Sequence, residues 1–345
     1  MPELFGHMPD GTPVHRVVLD NGHLRVAVLT FGAVLQSIEA PGRDGARANV
    51  VLGLTTLEEY VALSPHFGAV PGRYAGRIAG ARFTLDGVEH HLPANDGPHT
   101  LHGGPAGFGK RAWTLAAHSP THAHLALHSP DGDAGFPGAV DVAVRYSLQG
   151  ADLHVSYHAE TTRPTVINLT NHSYFNLAGE GSGSVLDHRL MLDADHFTPI
   201  DAASIPTGEV CPVDGTPFDF RVATSLGARI RTADPQIHHA RGYDQAYLLN
   251  GTGLRRVAVL TDPGSDRSLA VATDQPALQL YTANKLDGGL AGPSGRTYRQ
   301  SDAVCLETQH LADSPNQPAF PTTVLRPHRP FTTTTIFAFS INSAG

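Results

Sequence analysis

Along most of the chain the apolar residues recur at every second position, and Gly, Pro, Asn and Asp break the pattern at short intervals. A period of two sends successive side chains to opposite faces of an extended strand; a helix would need a period near 3.6. Residues 14–19 and 24–29 read as strands around Asp20-Asn21-Gly22, and residues 31–38 continue the sheet. Residues 82–90 place Asp86-Gly87 between two short extended runs. Residues 140–148 and 153–159 flank Gln149-Gly150-Ala151-Asp152, and residues 257–261 and 269–273 flank Asp262-Pro263-Gly264. Residues 278–283, 303–308 and 331–341 add further strands. Helical patterning is confined to residues 57–63 and 224–231. Many short strands joined by tight turns predict an all-β protein, a large antiparallel sandwich or barrel. Hairpins follow one another from end to end with no linker or repeat, so residues 1–345 are expected to form one domain.

Composition narrows the function. Net charge is −8, Lys110 and Lys285 are the only lysines, and no Lys/Arg run occurs, which argues against a nucleic-acid partner. No apolar stretch approaches the ~18 residues that span a bilayer. The first residues lack a basic segment followed by an apolar one, so a cytoplasmic protein is expected. Cys211 and Cys305 make no disulfide framework. The chain has 21 histidines, yet none falls in a His-Glu-x-x-His arrangement and no Cys-x-x-Cys occurs, so no metal is expected. The sequence carries no signal of oligomeric state.

Residues 168–177 read Asn-Leu-Thr-Asn-His-Ser-Tyr-Phe-Asn-Leu. Taken as a strand, they line up Asn168, Thr170, His172, Tyr174 and Asn176 on one face, a row of hydrogen-bonding groups without Lys, Glu or Arg. Such a face suits a sugar, and it sets a histidine, which titrates nearest neutral pH, at its centre. Asn171 and Ser173 interrupt the other, mostly apolar face, as a bulge beside His172 would. Residues 72–78 carry Arg73 and Arg77 among small residues, and His102 is followed by two glycines. Asp244 follows Gly242-Tyr243, and Gln279 and Tyr281 share a strand face. Glu307 lies with Cys305 and Gln309 opposite Val304 and Leu306. A glutamate in so apolar a strand is costly unless it is paired or used.

Together these pieces resemble the aldose 1-epimerase (mutarotase) family. The matching stretches run in family order across nearly the whole chain: Gly72 to Ile78 with Phe83-Thr-Leu-Asp-Gly, Leu101-His-Gly-Gly with Trp113, Asn168 to Leu177, Gly242-Tyr-Asp, Gln279-Leu-Tyr-Thr-Ala-Asn, and Cys305-Leu-Glu-Thr-Gln through Phe320-Pro321. The resemblance implies a mutarotase-type β-sandwich with an open cleft on one sheet and a free monosaccharide such as galactose or glucose as substrate. It implies Glu307 as general base, His172 as general acid, and Arg77, His102, Asp244 and Gln279 as sugar ligands. Gly76 departs from the Asn often found before the matching arginine, which removes one hydroxyl contact or leaves it to water.

Interconverting anomers means opening a hemiacetal: a base takes the C1 hydroxyl proton and an acid protonates the ring oxygen. No hydride, phosphate or metal is required, so no cofactor is expected. Ordinary pKa values of about 4.3 for Glu and 6.5 for His set the expectation of an ionised base and an acid kept protonated by its carboxylate neighbour. The competing readings are a hexose-6-phosphate epimerase, a non-catalytic sugar-binding protein of the same fold, and a glycosidase using Asp244 with Glu307.

Overall fold

A computed structural model describes residues 2–341. Three antiparallel sheets carry most of the strands. Nine strands form the largest, in the spatial order Thr114–Ser119, His122–Ser129, Val140–Gln149, Asp152–Thr161, Phe331–Ile341, Arg267–Thr273, Arg255–Thr261, Arg189–Leu192 and Thr224–Ser225. The final strand therefore closes between the middle hairpin and a later one, pairing with the first through Phe331–Ala338 and with the second through Thr335–Ile341. A six-stranded sheet runs Tyr174–Phe175, Val304–Gln309, Ala277–Tyr281, Asp244–Leu248, His196–Thr198 and Cys211–Pro212. The first fifty residues make a five-stranded meander from Glu3–His7 to Arg47–Asn49.

Alternation explains how the sheets stack. In Val304–Gln309, Val304 and Leu306 enter the main core beside Leu278 and Leu280 of the neighbouring strand. The same face carries Thr308, whose hydroxyl lies 2.5 Å from that of Thr335 on the nine-stranded sheet. Phe175 meets Phe337 with ring centroids 5.2 Å apart. The core takes Val17 and Val28 from the meander, Val144 and Phe337 from the large sheet, and Leu278 and Leu306 from the six-stranded sheet. One face of the six-stranded sheet is thereby spent on packing, and its other face is free to carry polar chemistry.

The all-β class and the main hairpins agree with expectation, including Arg82–Leu85 with Val88–His91 and the helix Leu57–Leu63. That helix starts on a reciprocal cap: the Thr56 hydroxyl accepts from the Glu59 N–H, and the Glu59 carboxylate accepts from the Thr56 N–H. Two expectations are corrected. The helix proposed at residues 224–231 is a two-residue strand, Thr224–Ser225, and a single 3-10 turn, Leu226–Ala228. Residues 168–177 are not one strand, since only Tyr174–Phe175 pairs in the sheet. The chain before them runs as buried irregular backbone, and its Asn168 and His172 N–H groups donate to the carbonyls of Arg73 and Ala69 in place of a regular ladder. No helix among the described residues is long and apolar enough to cross a membrane.

Candidate active site

Three neighbouring strands present their outward side chains to an open cleft. Glu307 stands directly across the ladder from Gln279, and Asp244 from Tyr281. The Gln279 amide donates to the Asp244 carboxylate at 2.8 Å. This pairing answers the question that a polar residue between two leucines raises: the glutamine orients a carboxylate in its own sheet.

The opposite wall comes from loops. Arg77 and Leu101 pair in a short ladder, and His102 follows with φ of 53°. The Gly76 N–H donates to His102 Nδ1 at 3.1 Å, and the His102 N–H donates to the Gly76 carbonyl at 3.0 Å. The ring proton of His102 therefore sits on Nε2, leaving a neutral donor. Burial first, then the charges of His66, His172, Arg77 and Lys285, holds His102 well below its ordinary pKa. Arg77 is anchored by Asp96, its Nε donating at 2.7 Å.

His172 is held by its own backbone. Its N–H donates to the Ala69 carbonyl and its carbonyl accepts from the Gly68 N–H, both at 2.9 Å. Asn171 donates to the Gly68 carbonyl at 2.8 Å and accepts from the Ser173 hydroxyl at 2.6 Å. The two residues that break the alternation thus clip the segment to residues 68–69, and irregular backbone, not a bulge within a strand, accounts for them. Asn168 donates to the carbonyls of Ala75 and His310 and accepts from the His310 N–H. Asn176 donates to the carbonyls of Gly183 and Asp302. The expected sugar-binding face is therefore mostly internal scaffolding. Of residues 168–177, only His172 and Tyr174 line the cleft. Tyr174 stacks on the His172 ring, 5.0 Å between centroids and 8° between planes, while its hydroxyl donates to the Pro65 carbonyl.

His172 Nε2 lies 3.7 Å from Glu307 Oε1, and the two residues are 5 % and 3 % exposed. Burial, reinforced by the Asp244 charge, pushes the Glu307 carboxyl well above the usual carboxylate range. Burial, then the nearby His66, pulls His172 down to about 3. His172 Nδ1 is buried without a partner, so nothing holds an imidazolium from behind. Against the expectation of an ionised pair, both shifts favour the uncharged forms, because desolvating two charges costs more than one contact at this distance returns.

All six residues singled out from the sequence, Glu307, His172, Arg77, His102, Asp244 and Gln279, line this one cleft. The sequence did not single out His66, whose ring lies edge-on to His102 at 4.6 Å and near-parallel to His172 at 6.0 Å. It sits at φ of 72° in a turn, where no periodicity marks it. Lys285 also lines the cleft. As for metal binding, ligand atoms of His172, Cys305 and Glu307 lie within 4.8 Å of one another. Burial, then the Glu307 and Asp244 charges, pushes the Cys305 thiol well up.

A family model described as aldose 1-epimerase matches residues 15–338. A galactose mutarotase of Bos taurus is 44% identical over 340 residues, covering 98% of each chain. Among solved structures, an aldose epimerase homologue from C. elegans has a TM-score of 0.89 at 29% identity, covering 96% of this chain and 100% of its own. A galactose 1-epimerase from Lactobacillus acidophilus NCFM has a TM-score of 0.87 at 29% identity, with 99% of each chain covered.

Proposed function

The chain belongs to the aldose 1-epimerase family, and from that premise we infer that it is a mutarotase, an isomerase interconverting the α and β anomers of free aldohexoses such as galactose and glucose. The observation that carries the reading is the buried His172–Glu307 pair, 3.7 Å apart, facing a cleft whose remaining walls donate and accept hydrogen bonds. A pyranose offers such a pair two adjacent oxygens, O1 and the ring oxygen.

Glu307 is the general base and His172 the general acid. The pair holds one proton, and moving it from Glu307 to His172 leaves the total charge unchanged. A C1 hydroxyl donating to the carboxylate and a ring oxygen accepting from the imidazolium favour the ionised placement. Burial has tuned both groups usefully: a carboxylate whose pKa is raised is a stronger base, and an imidazolium whose pKa is depressed is a stronger acid. Glu307 takes the O1 proton, His172 protonates the ring oxygen, and the C1–ring oxygen bond opens. Rotation about C1–C2 presents the other carbonyl face, and the reverse transfers close the ring. Arg77 and the Nε2–H of His102 donate to sugar oxygens. Asp244, oriented by Gln279, accepts from sugar hydroxyls and keeps both transfers in line.

The protein acts as one unit of residues 1–345 in the cytoplasm, without a cofactor. The shared core supports the single unit. Polarimetry on freshly dissolved α-D-glucose and α-D-galactose tests the reading. Equilibration faster than in buffer is expected with the free sugars. Catalysis confined to sugar phosphates would replace the reading, and inertness toward every aldose would remove it.

A further inference from the structure

Gln309 lies two residues beyond Glu307 on the same strand and the same face, roughly 7 Å further along. It lines the cleft and is only 2 % exposed. Its Oε1 is buried without a donor, and its amide makes no hydrogen bond among the described residues. Other amides around the cleft are tied down: the buried Asn168 to Ala75, Asn171 to Gly68 and Asn176 to Gly183, and the half-buried Gln279 to Asp244. A buried amide left without partners keeps the full cost of its desolvation, so it is retained only where something else satisfies it.

Gly76 decides what can reach that amide. A Cβ placed there would stand 3.0 Å from the Ala312 Cβ and 3.8 Å from the Gln309 Nε2. Any longer side chain at position 76 would lie over the amide, so the glycine leaves it open to the cleft. Ala277, across the ladder from Gln309, is too short to cover it from the other side.

Resting on the mutarotase reading, we propose that Gln309 is a specificity-determining residue that binds one ring hydroxyl, at C2 or C3, of the aldose. An amide can give its N–H to a hydroxyl oxygen and take the hydroxyl proton on its carbonyl, which fits an alcohol better than any singly functional group. With O1 at Glu307 and the ring oxygen at His172, the hydroxyls on the remaining side of C1 are those at C2 and C3. A residue further along the strand from Glu307 meets that side.

The test compares wild type and Gln309→Leu on D-glucose, 2-deoxy-D-glucose and 3-deoxy-D-glucose by polarimetry. The substitution is expected to lower kcat/KM on D-glucose about tenfold, mainly through KM, with the loss absent on whichever deoxy sugar lacks the bound hydroxyl. Gln309→Met, of similar length without the amide, is expected to behave the same and serves if the leucine variant folds poorly. An equal loss on all three sugars, or no loss on D-glucose, overturns the proposal. Wild-type activity in the same series separates it from the parent reading: an active wild type with an indifferent Gln309 overturns this assignment alone, and a wild type inert on every aldose overturns both.

Discussion

The His172–Glu307 pair makes a claim about pH. Its working state holds one proton in total, so activity is lost when a second proton is gained or the last one leaves. Gain of the second falls near the depressed value of His172, about 3. Loss of the last occurs as pH rises through the raised pKa of Glu307. kcat/KM for D-glucose is therefore expected to stay flat where an ordinary carboxylate near ~4.3 would titrate, and to fall only as pH rises through the raised pKa of Glu307. Asp244 is one cause of the raised carboxyl. Its removal in Asp244→Asn should move this high-pH limb to lower pH while also raising KM. A limb that stays in place would show that the Asp244 charge is not felt at Glu307.

Two arginines four residues apart do different work because different elements receive them. Arg77 leaves a short ladder into the cleft. Arg73 is buried and donates to the carbonyls of Ser129, Pro130, Pro137 and Gly138, tying both ends of one loop of the large sheet to the cleft wall. Burial pulls its pKa down to about 10, which still leaves it charged. Arg73→Leu orphans these carbonyls, each costing roughly 1–3 kcal/mol. A thermal melt should show a fall of several degrees for this variant and little change for Arg77→Ala, which should instead raise KM. The reverse pattern would exchange the two roles. The same contrast shows what could be read beforehand. Strands such as Val140–Gln149 and Phe331–Ile341 were legible because each buries one face and alternation records it. Glu307 stood out as a charge among core residues. A strand reading of residues 168–177 fails because Asn168, Asn171 and Asn176 bond to backbone outside the segment, and a polar side chain carries no mark of whether its partner is water, ligand or backbone. His66 leaves no signal for a different reason: a turn, not a periodicity, delivers it to the cleft.

Function here is paid for in stability of the whole chain. Glu307 titrates higher in the folded protein than the ~4.3 of an unfolded chain. Across that window the folded state binds the proton more tightly, so its contribution is complete at low pH and is lost as pH rises. Glu307→Gln removes this dependence. The variant should match wild type in denaturant midpoint near pH 4 and exceed it by a growing margin toward pH 8. Equal midpoints at both pH values would mean that the carboxyl is not desolvated.

The central claim is that Glu307 and His172 share the proton transfers, and the most direct measurement is kcat for mutarotation of α-D-glucose by Glu307→Gln and His172→Asn beside wild type. The account predicts that each variant melts cooperatively yet loses about 10²–10⁴-fold in kcat. Two folded variants that equilibrate the sugar at the wild-type rate would contradict it.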